Sequence, residues 1–376
     1  MTECALPTTG QQQDWRCKPA CQRFGLLDRY RDIYELPSDY PLVTLDEGQT
    51  PLIPTPNLAQ WLETHTGVAG LSIFCKYEGA NPTGSFKDRG MTYAVSQAKA
   101  DGATSLICAS TGNTSAAAAA YGAKAGIPVL VIIPQGKVAL GKLSQAMLYG
   151  ATIVEIDGNF DQALTLVREM GETGRVTVVN SINPYRILGQ MSGAFEIVDR
   201  LGRAPDYHFI PVGNAGNITA YWRGYKRYAE LGRIQALPTM MGYEAEGSAA
   251  IVYNRIIENP ETLATAIRIG NPASWAGAVE ARDASGGTIG AVSDPDIVAA
   301  YQLLGTREGL FCEPASAASV AGLIQACQQG QVAPGSTITC TLTGNGLKDP
   351  DSAITYGKAK RVTLPATVEA MLSLID

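Results

Sequence analysis

The chain has 376 residues and a formal net charge of −6, from 29 Lys and Arg against 35 Asp and Glu. An acidic chain lacks the positive field that binding to nucleic acid or to an anionic membrane surface requires, so we expect neither as a partner. With 45% hydrophobic and 17% charged residues, the composition is that of an ordered globular protein, long enough for two domains.

No segment indicates secretion, a membrane span or a metal. The amino terminus reads MTECALPTTGQQQDW and has no apolar core, so no signal peptide is predicted. The most apolar stretch, residues 115–134, contains Lys124 and Pro128, which favours a helix followed by a strand over a membrane span. The eight cysteines fit free thiols of a reducing cytoplasm. Only Cys17 and Cys21 are close together, and with two histidines in the chain we expect no metal site.

Taken in chain order, strand-like apolar runs alternate with helix-like stretches. The first 50 residues are polar and interrupted by Pro, and we expect them to wrap the outside of the protein. Strands are then predicted at residues 105–110, 129–134, 151–157, 176–181, 207–213, 240–247 and 336–344. Helices are predicted at residues 113–125, 161–171, 189–201 and 218–231. This alternation indicates an α/β fold with mostly parallel sheets, whose ligands bind at the carboxyl ends of the strands.

The first candidate motif is NPTGSFKDRG at residues 81–90, a turn that leads into a helix with Lys87 in its first turn. The positive end of the helix dipole disfavours a charged Lys there, and a neutral amine can form a Schiff base with an aldehyde. Taken alone, the segment favours the alternative, a solvated charged face with Asp88 and Arg89.

Two strand ends carry candidate anion sites. Residues 110–115, STGNTS, precede an Ala-rich helix, and their hydroxyls and free N–H groups suit a carboxylate, although such residues are also common helix caps. Residues 211–218, PVGNAGNI, place two Gly-Asn pairs directly before a helix, which predicts a nest of N–H groups for one phosphate monoester. The dinucleotide pattern G-x-G-x-x-G is absent.

Two further segments contribute polar groups, and a third matches a nucleotide-binding pattern only in part. Thr343, in TLTGNG, offers a hydroxyl to a ring nitrogen, although the turn alone indicates little. Arg186, in NSINPYR, can place two donors on a phosphate, and the alternative is a loop that caps a helix. Residues 136–142 match G-x-x-x-x-G-K, but Leu143 replaces the Ser or Thr that binds magnesium, so an ATPase is disfavoured.

Together these segments describe a site for pyridoxal phosphate, which needs an amine for its aldehyde, a phosphate cradle, a donor to its ring hydroxyl and a partner for its ring nitrogen. The segments NPTGSFKDRGM, CASTGNTSAAAAAYG, NSINPYRILGQ, PVGNAGN and TLTGNGLKDP resemble, in this order, those of the threonine synthases. That family lies within the tryptophan synthase β-type, or fold type II, enzymes. The resemblance runs from about residue 50 to residue 349. The Cys17 and Cys21 pair does not resemble the four-Cys ribbon of some relatives.

The resemblance implies the fold and its division. Fold type II consists of two αβα domains with mostly parallel twisted sheets. A large cofactor-binding domain is expected over residues 1–79 and 176–376, with an N-terminal extension over 1–49. A small mobile domain over 80–175 would carry Lys87 and the Asn113 loop. The family and the apolar tail from Thr363 suggest a homodimer.

The resemblance also implies roles for individual residues. Lys87 is the catalytic residue and binds the cofactor, Asn113 bonds the ring hydroxyl, and Thr343 faces the ring nitrogen. The cofactor phosphate is held by the backbone amides of Gly213, Asn214, Ala215, Gly216 and Asn217. The substrate carboxylate is received by Ser110, Thr111, Asn113 and Thr114. The substrate phosphate is received by Thr114, Asn180, Ser181, Arg186 and Asn214.

The implied activity is that of a carbon–oxygen lyase acting on phosphates. O-phospho-L-homoserine and water would give L-threonine and phosphate by γ-elimination and β-addition, the last step of threonine biosynthesis. Thr343 is a neutral partner that cannot hold a proton firmly on the ring nitrogen, which favours elimination and replacement over transamination. The alternatives are another fold type II enzyme, such as a serine/threonine ammonia-lyase, a cysteine synthase or a cysteate synthase, and a cofactor-binding regulator without turnover.

Overall fold

A computed structural model describes residues 25–135 and 140–375 of the chain. Ten strands are described: β1 Leu52–Pro54, β2 Ser72–Tyr77, β3 Leu106–Ala109, β4 Val129–Pro134, β5 Thr152–Ile156, β6 Thr177–Val178, β7 Tyr207–Pro211, β8 Thr239–Ala245, β9 Thr288–Val292 and β10 Thr337–Leu342. Fourteen α-helices accompany them: α1 Gly25–Arg29, α2 Pro56–Thr66, α3 Lys87–Ala100, α4 Asn113–Ala125, α5 Leu140–Leu148, α6 Phe160–Glu172, α7 Pro184–Gln190, α8 Ser192–Leu201, α9 Gly216–Glu230, α10 Trp275–Ser285, α11 Asp294–Glu308, α12 Pro314–Gln328, α13 Pro350–Tyr356 and α14 Val368–Leu372.

The larger sheet has six strands in the order β1-β2-β10-β7-β8-β9. Strands β2, β10, β7, β8 and β9 run parallel to their neighbours, and β1 adds to the edge antiparallel to β2. Strand β10, with the sequence TITCTL, lies between β2 and β7 and is buried along nearly its whole length. This burial on both faces is what a continuous apolar run predicts for a central strand of a parallel sheet.

The smaller sheet has four parallel strands in the order β5-β4-β3-β6. The strand β3, with the sequence LICA, is buried at all four positions and ends immediately before the Asn113 loop. Strand β6 pairs with β3, so this sheet extends to Val178, three residues past the expected division at residue 175. The predicted α/β fold with mostly parallel sheets is confirmed.

Helix α4 shows how the sequence positions the site. Its run of five alanines is buried, because small side chains let the helix lie close to the sheet, and Gly126 ends it in the left-handed conformation with φ 72°. The helix begins at Asn113, directly after the loop at the carboxyl end of β3. The polar loop between strand and helix therefore faces the edge of the sheet where parallel α/β folds bind ligands.

Two expectations differ from the structure. The predicted helix over residues 189–201 falls in two helices, α7 and α8, which meet at Met191. Residues 25–50 do not simply wrap the outside, since Leu26 and Leu27 are 1% and 2% exposed in the core around Phe195. The tail from Thr363 lies largely exposed on this chain.

The remaining expectations concern cysteines and membranes. Five described cysteines are buried free thiols, as predicted: Cys75, Cys108, Cys312, Cys327 and Cys340. The pair Cys17 and Cys21 lies outside the described residues, as does most of the G-x-x-x-x-G-K match at residues 136–142. Within the described ranges, none of the helices has both the length and the apolar character to cross a membrane.

Candidate active site

Lys87 is the first residue of α3, and the loop before it is fixed to the turn after β10. Ser85 and Gly344 form an antiparallel bridge, and the Phe86 N–H donates to the Thr343 carbonyl oxygen at 3.0 Å. The Asn345 N–H donates to the Gly84 carbonyl at 2.9 Å. These backbone bonds hold the Lys87 segment against the segment that carries Thr343.

The environment of Lys87 favours a neutral amine. Burial, together with the positive charge of Arg186, lowers the pKa of Lys87 from 10.5 to about 7, although Glu313 opposes the shift. Its Nζ lies 4.0 Å from the centroid of the Phe86 ring. An amine of this pKa is substantially unprotonated at neutral pH, as a nucleophile or a general base must be.

Asn113 begins α4 and points toward the larger sheet. Its Nδ2 donates to both carboxylate oxygens of Glu313, at 3.3 and 3.1 Å. Thr114 is buried, while Ser110 and Thr111 are partly exposed at the end of β3. Within the loop, the Gly112 N–H donates to Ser110 Oγ at 3.2 Å. This geometry leaves the loop hydroxyls at the strand end, beside Asn113.

The loop at residues 213–217 joins β7 to α9 at the carboxyl edge of the larger sheet. A Cβ on Gly213 would lie 2.8 Å from the Cα of Ile267, so only glycine fits against that segment. Ala215 has φ 62°, a left-handed conformation that turns the backbone into the helix. The N–H groups of the first turn of α9 have no partners within the helix, and they provide the predicted nest.

The two Asn side chains of this loop behave differently. Asn214 Oδ1 accepts a hydrogen bond from the Ala273 N–H at 2.6 Å, so its amide anchors the neighbouring segment. Both polar side-chain atoms of Asn217 are buried without a hydrogen-bond partner. Because buried polar groups are nearly always paired, the Asn217 amide marks a place for a ligand.

Arg186 and Asn180 follow strand β6, and the charge of Arg186 acts on Lys87. Arg186 is 1% exposed, its Nη1 donates to the Val179 carbonyl at 3.1 Å, and its Nε is buried without a partner. Burial lowers its pKa to about 10, so it stays charged at neutral pH. The Asn180 amide bonds the Ala109 backbone at both atoms, at 3.0 and 2.9 Å, which fixes β3 to the Asn180 loop. Ser181 follows, partly exposed.

Glu313 was not predicted from the sequence. It is 4% exposed, immediately precedes α12, and accepts hydrogen bonds from Asn113 and from Thr343 Oγ1, the latter at 3.2 Å. Burial raises its pKa, although Asn113, Thr343, Lys348 and Lys87 act in the opposite direction. The available signal was a single acidic residue in the apolar stretch GLFCEPASAASV.

These residues suit pyridoxal phosphate. The Asn113 amide and the Thr343 hydroxyl both bond Glu313, and the Lys87 segment is held against the Thr343 segment by backbone hydrogen bonds. The nest at residues 213–217 and the unpaired Asn217 amide would complete a cradle for a phosphate. Among the described residues, no group of three or more His, Cys, Asp or Glu is placed to hold a metal ion.

The profile of a family described as pyridoxal-phosphate dependent enzyme matches residues 43–344. The threonine synthase of Halalkalibacterium halodurans is 57% identical over 352 residues, which cover 93% of this chain and 97% of that protein. The threonine synthase of Synechocystis is 58% identical over 335 residues, or 89% and 86% of the two chains. The chain belongs to the threonine synthase family.

Membership in the family settles the choice among the alternatives. The protein is an enzyme that depends on pyridoxal phosphate, and the ammonia-lyase, cysteine synthase and regulator alternatives are set aside. The fold is shared more widely: a threonine deaminase from Solanum lycopersicum has a TM-score of 0.71 at 21% identity, covering 89% of this chain and 94% of that one. The resemblance found from the sequence motifs is therefore confirmed.

Proposed function

We propose that this threonine synthase family enzyme acts on O-phospho-L-homoserine through the residues described above, and that it does so as a cytoplasmic homodimer. The reaction releases phosphate from Cγ and adds water at Cβ, giving L-threonine. The observation that carries the assignment of residues is geometric: backbone bonds hold the Lys87 segment against the Thr343 segment, and Asn113 and Thr343 both bond Glu313.

Four parts of the chain would hold the cofactor. Lys87 Nζ would bind its aldehyde, Asn113 Nδ2 would donate to its ring hydroxyl, and Thr343 Oγ1 would face its ring nitrogen. The backbone N–H groups of Gly213 to Asn217 would receive its phosphate, and the orphaned Asn217 amide fits the same place. When bound, pyridoxal phosphate supplies a carbonyl for the substrate amine and a conjugated ring that accepts electrons from the substrate carbon.

A second set of residues would position the substrate. The hydroxyls of Ser110, Thr111 and Thr114, with the N–H groups at the start of α4, suit the α-carboxylate. Arg186, supported by Asn180, Ser181, Asn214 and Thr114, would bind the substrate phosphate. Arg186 Nε is free for that anion, whereas the Asn180 amide has one Nδ2 hydrogen left beyond its bond to Ala109. A charge-assisted bond from Arg186 favours the leaving phosphate as charge develops on it.

Lys87 would move the protons. Its neutral Nζ can take the proton from the substrate Cα and return protons at later steps, because its pKa of about 7 lies near the working pH. Water must reach Cβ only after phosphate has left Cγ. We propose that the small domain, with the four-stranded sheet and the Asn113 loop, closes on the substrate to control this order.

The homodimer rests on the exposed apolar tail. Val368, Met371, Leu372 and Ile375 are 70%, 56%, 51% and 81% exposed on this chain. Apolar side chains that cluster on the surface of a soluble chain favour burial against another copy. Sedimentation of the full chain and of a chain ending at residue 362 measures this: the full chain should be a dimer, and an unchanged dimer after truncation would contradict a role for the tail.

The experiment for the function follows phosphate and threonine together. Wild type and Lys87→Ala are incubated with O-phospho-L-homoserine, and both products are measured over time. Equal amounts of the two products from wild type, with loss of both in the variant, are expected. Products from Lys87→Ala at the wild-type rate would contradict the role of Lys87, and phosphate without threonine would contradict the water-addition step.

A further inference from the structure

The carboxyl group of Glu313 lies between the two side chains assigned to the ring hydroxyl and the ring nitrogen of the cofactor. Asn113 Nδ2 is 3.1 Å from one oxygen, and Thr343 Oγ1 is 3.2 Å from the other. Asn113 belongs to the segment after the small sheet, whereas Glu313 and Thr343 follow the large one. Glu313 is therefore the direct link between these two cofactor contacts, and this inference rests on the proposed cofactor positions.

The backbone fixes the position of this carboxyl group. The Glu313 N–H donates to the Gly344 carbonyl at 3.0 Å, and Cys312 pairs with Asn345 in an isolated bridge. A Cβ on Gly344 would lie 2.6 Å from the Glu313 carboxyl carbon. A carboxyl group confined in this way cannot turn aside toward water, and its hydrogen bonds decide the orientation of its partners.

The protonation state of Glu313 decides what Thr343 can do, because a hydroxyl has a single proton to donate. As a carboxylate, Glu313 would accept the hydrogen bond from the Thr343 hydroxyl. Thr343 would then have no hydrogen left to donate to the ring nitrogen. As the uncharged acid, Glu313 can donate its own proton to Thr343 Oγ1, which frees the Thr343 proton for the ring nitrogen. Ser316 Oγ, 3.0 Å from Thr343 Oγ1, completes the group of hydroxyls.

We propose that Glu313 is a positioning residue that works as the uncharged acid. One oxygen accepts from Asn113 Nδ2 and orients that amide, while the acid proton goes to Thr343 Oγ1 and directs the Thr343 hydroxyl to the ring nitrogen. A ring nitrogen that receives a hydrogen bond, rather than a full proton, is the weaker electron sink that suits elimination and replacement.

The surroundings support an uncharged Glu313. Its hydrogen-bonding partners Asn113 and Thr343 are neutral, and a buried carboxylate is costly without a cation bonded to it. Burial raises the pKa of Glu313 and outweighs the hydrogen bonds from Asn113 and Thr343 and the charges of Lys348 and Lys87, which lower it.

The test compares Glu313→Gln with Glu313→Ala in the enzyme loaded with pyridoxal phosphate. Glutamine has the shape of the uncharged acid, with one acceptor oxygen and a donor that can reach Thr343. The position of the cofactor absorbance band and the cofactor dissociation constant are measured without substrate. Both quantities can be measured even if phosphohomoserine proves to be the wrong substrate. Glu244→Gln is the matched control, because that buried carboxyl accepts only from backbone N–H groups at 3.3 and 3.0 Å, on β8.

We expect Glu313→Gln and the control to keep the wild-type band and a dissociation constant within about threefold of wild type. Glu313→Ala should shift the band and weaken binding by about tenfold or more, since it leaves two groups unpaired. If Gln behaves like Ala, the uncharged-acid assignment is overturned. If Ala matches wild type, the positioning role is overturned. Glu313→Leu, which fills the space without hydrogen bonds, replaces Ala if thermal unfolding shows that Ala does not fold.

Discussion

Removal of the Arg186 charge is the most direct test of how the substrate phosphate is bound. Arg186 is 1% exposed and holds one bond, to the Val179 carbonyl, so its Nε remains for an anion. Glutamine keeps part of the side-chain volume and a donor but removes the charge. Arg186→Gln should therefore weaken the use of phosphohomoserine without dismantling the cofactor cradle, which lies on the 213–217 loop.

The magnitude follows from the kind of bond that is lost. A hydrogen bond to a charged group contributes about 1.5–3 kcal/mol. Since each 1.4 kcal/mol is a factor of ten, kcat/KM for phosphohomoserine should fall by about 10- to 150-fold. Arg186→Lys should fall between wild type and Gln, because lysine keeps the charge but cannot place two donors on one phosphate.

The assay is steady-state phosphate release, with cofactor affinity measured in parallel. Arg203→Gln is the charge-matched control, since Arg203 is exposed and pairs with Asp206 at the surface. The control should change kcat/KM by less than about twofold, because exposed ion pairs contribute little. If Arg186→Gln keeps wild-type kcat/KM, the substrate-phosphate assignment is refuted. An equal loss of cofactor affinity would show instead that Arg186 serves the cofactor.

Three further outcomes are expected. In the apoenzyme, the rate at which added cofactor forms its imine band should rise with pH through about 7 and then level off, because the pKa of Lys87 is lowered to about 7; a rise that continues toward pH 10 would contradict this. Gly213→Ala should weaken cofactor binding by about tenfold or more, since its Cβ would meet Ile267 at 2.8 Å, while circular dichroism shows an unchanged helix content. Glu196→Gln should lower the free energy of unfolding in urea by about 3–5 kcal/mol, because it leaves two buried cations without their shared carboxylate; a loss below about 1 kcal/mol would refute that account.

The effect of Glu196→Gln on the free energy of unfolding should depend on pH. Burial alone would raise the pKa of Glu196, but its ion pairs with Arg89 and Lys76 outweigh burial and hold the pKa well below its usual range. A group whose folded pKa is depressed stabilises the fold above its unfolded pKa of 4.5 and loses that contribution as the pH falls. The difference in free energy of unfolding between wild type and Glu196→Gln should therefore become smaller at acidic pH.

Helices and strands could be predicted from the sequence where the residues that define them lie close together in the chain. Strand β4 and helix α4 have the predicted bounds, 129–134 and 113–125, because an apolar run, a polar helix start and a glycine stop all lie within one short stretch. The break at Met191 is different. Nothing in residues 184–201 demands it, and it arises where α7 packs against α3. Similarly, Leu26 and Leu27 become core residues only because α8 presents Phe195 to them.

The site was predictable to the extent that each part carries a motif of its own. Lys87, Asn113, the 213–217 loop and Thr343 lie in short segments whose composition indicates chemistry, and in the structure the Lys87 and Thr343 segments pair while Asn113 and Thr343 meet at Glu313. Glu313 has no such motif. Its role depends on contact with Asn113, 200 residues earlier in the chain, and only the packing of the two sheets reveals that contact.

The charges of the described residues explain why the site can accept several anions in an acidic chain. Arg89 and Lys76 are neutralised in a buried cluster, where Arg89 pairs with Glu78 and Glu196 and Lys76 pairs with Glu196. Arg186 is not neutralised in this way, and oriented N–H groups supply the remaining attraction. A charged Glu313 would add a negative group in this same space and repel both phosphates. The uncharged Glu313 that we propose avoids this repulsion at a site that binds anions.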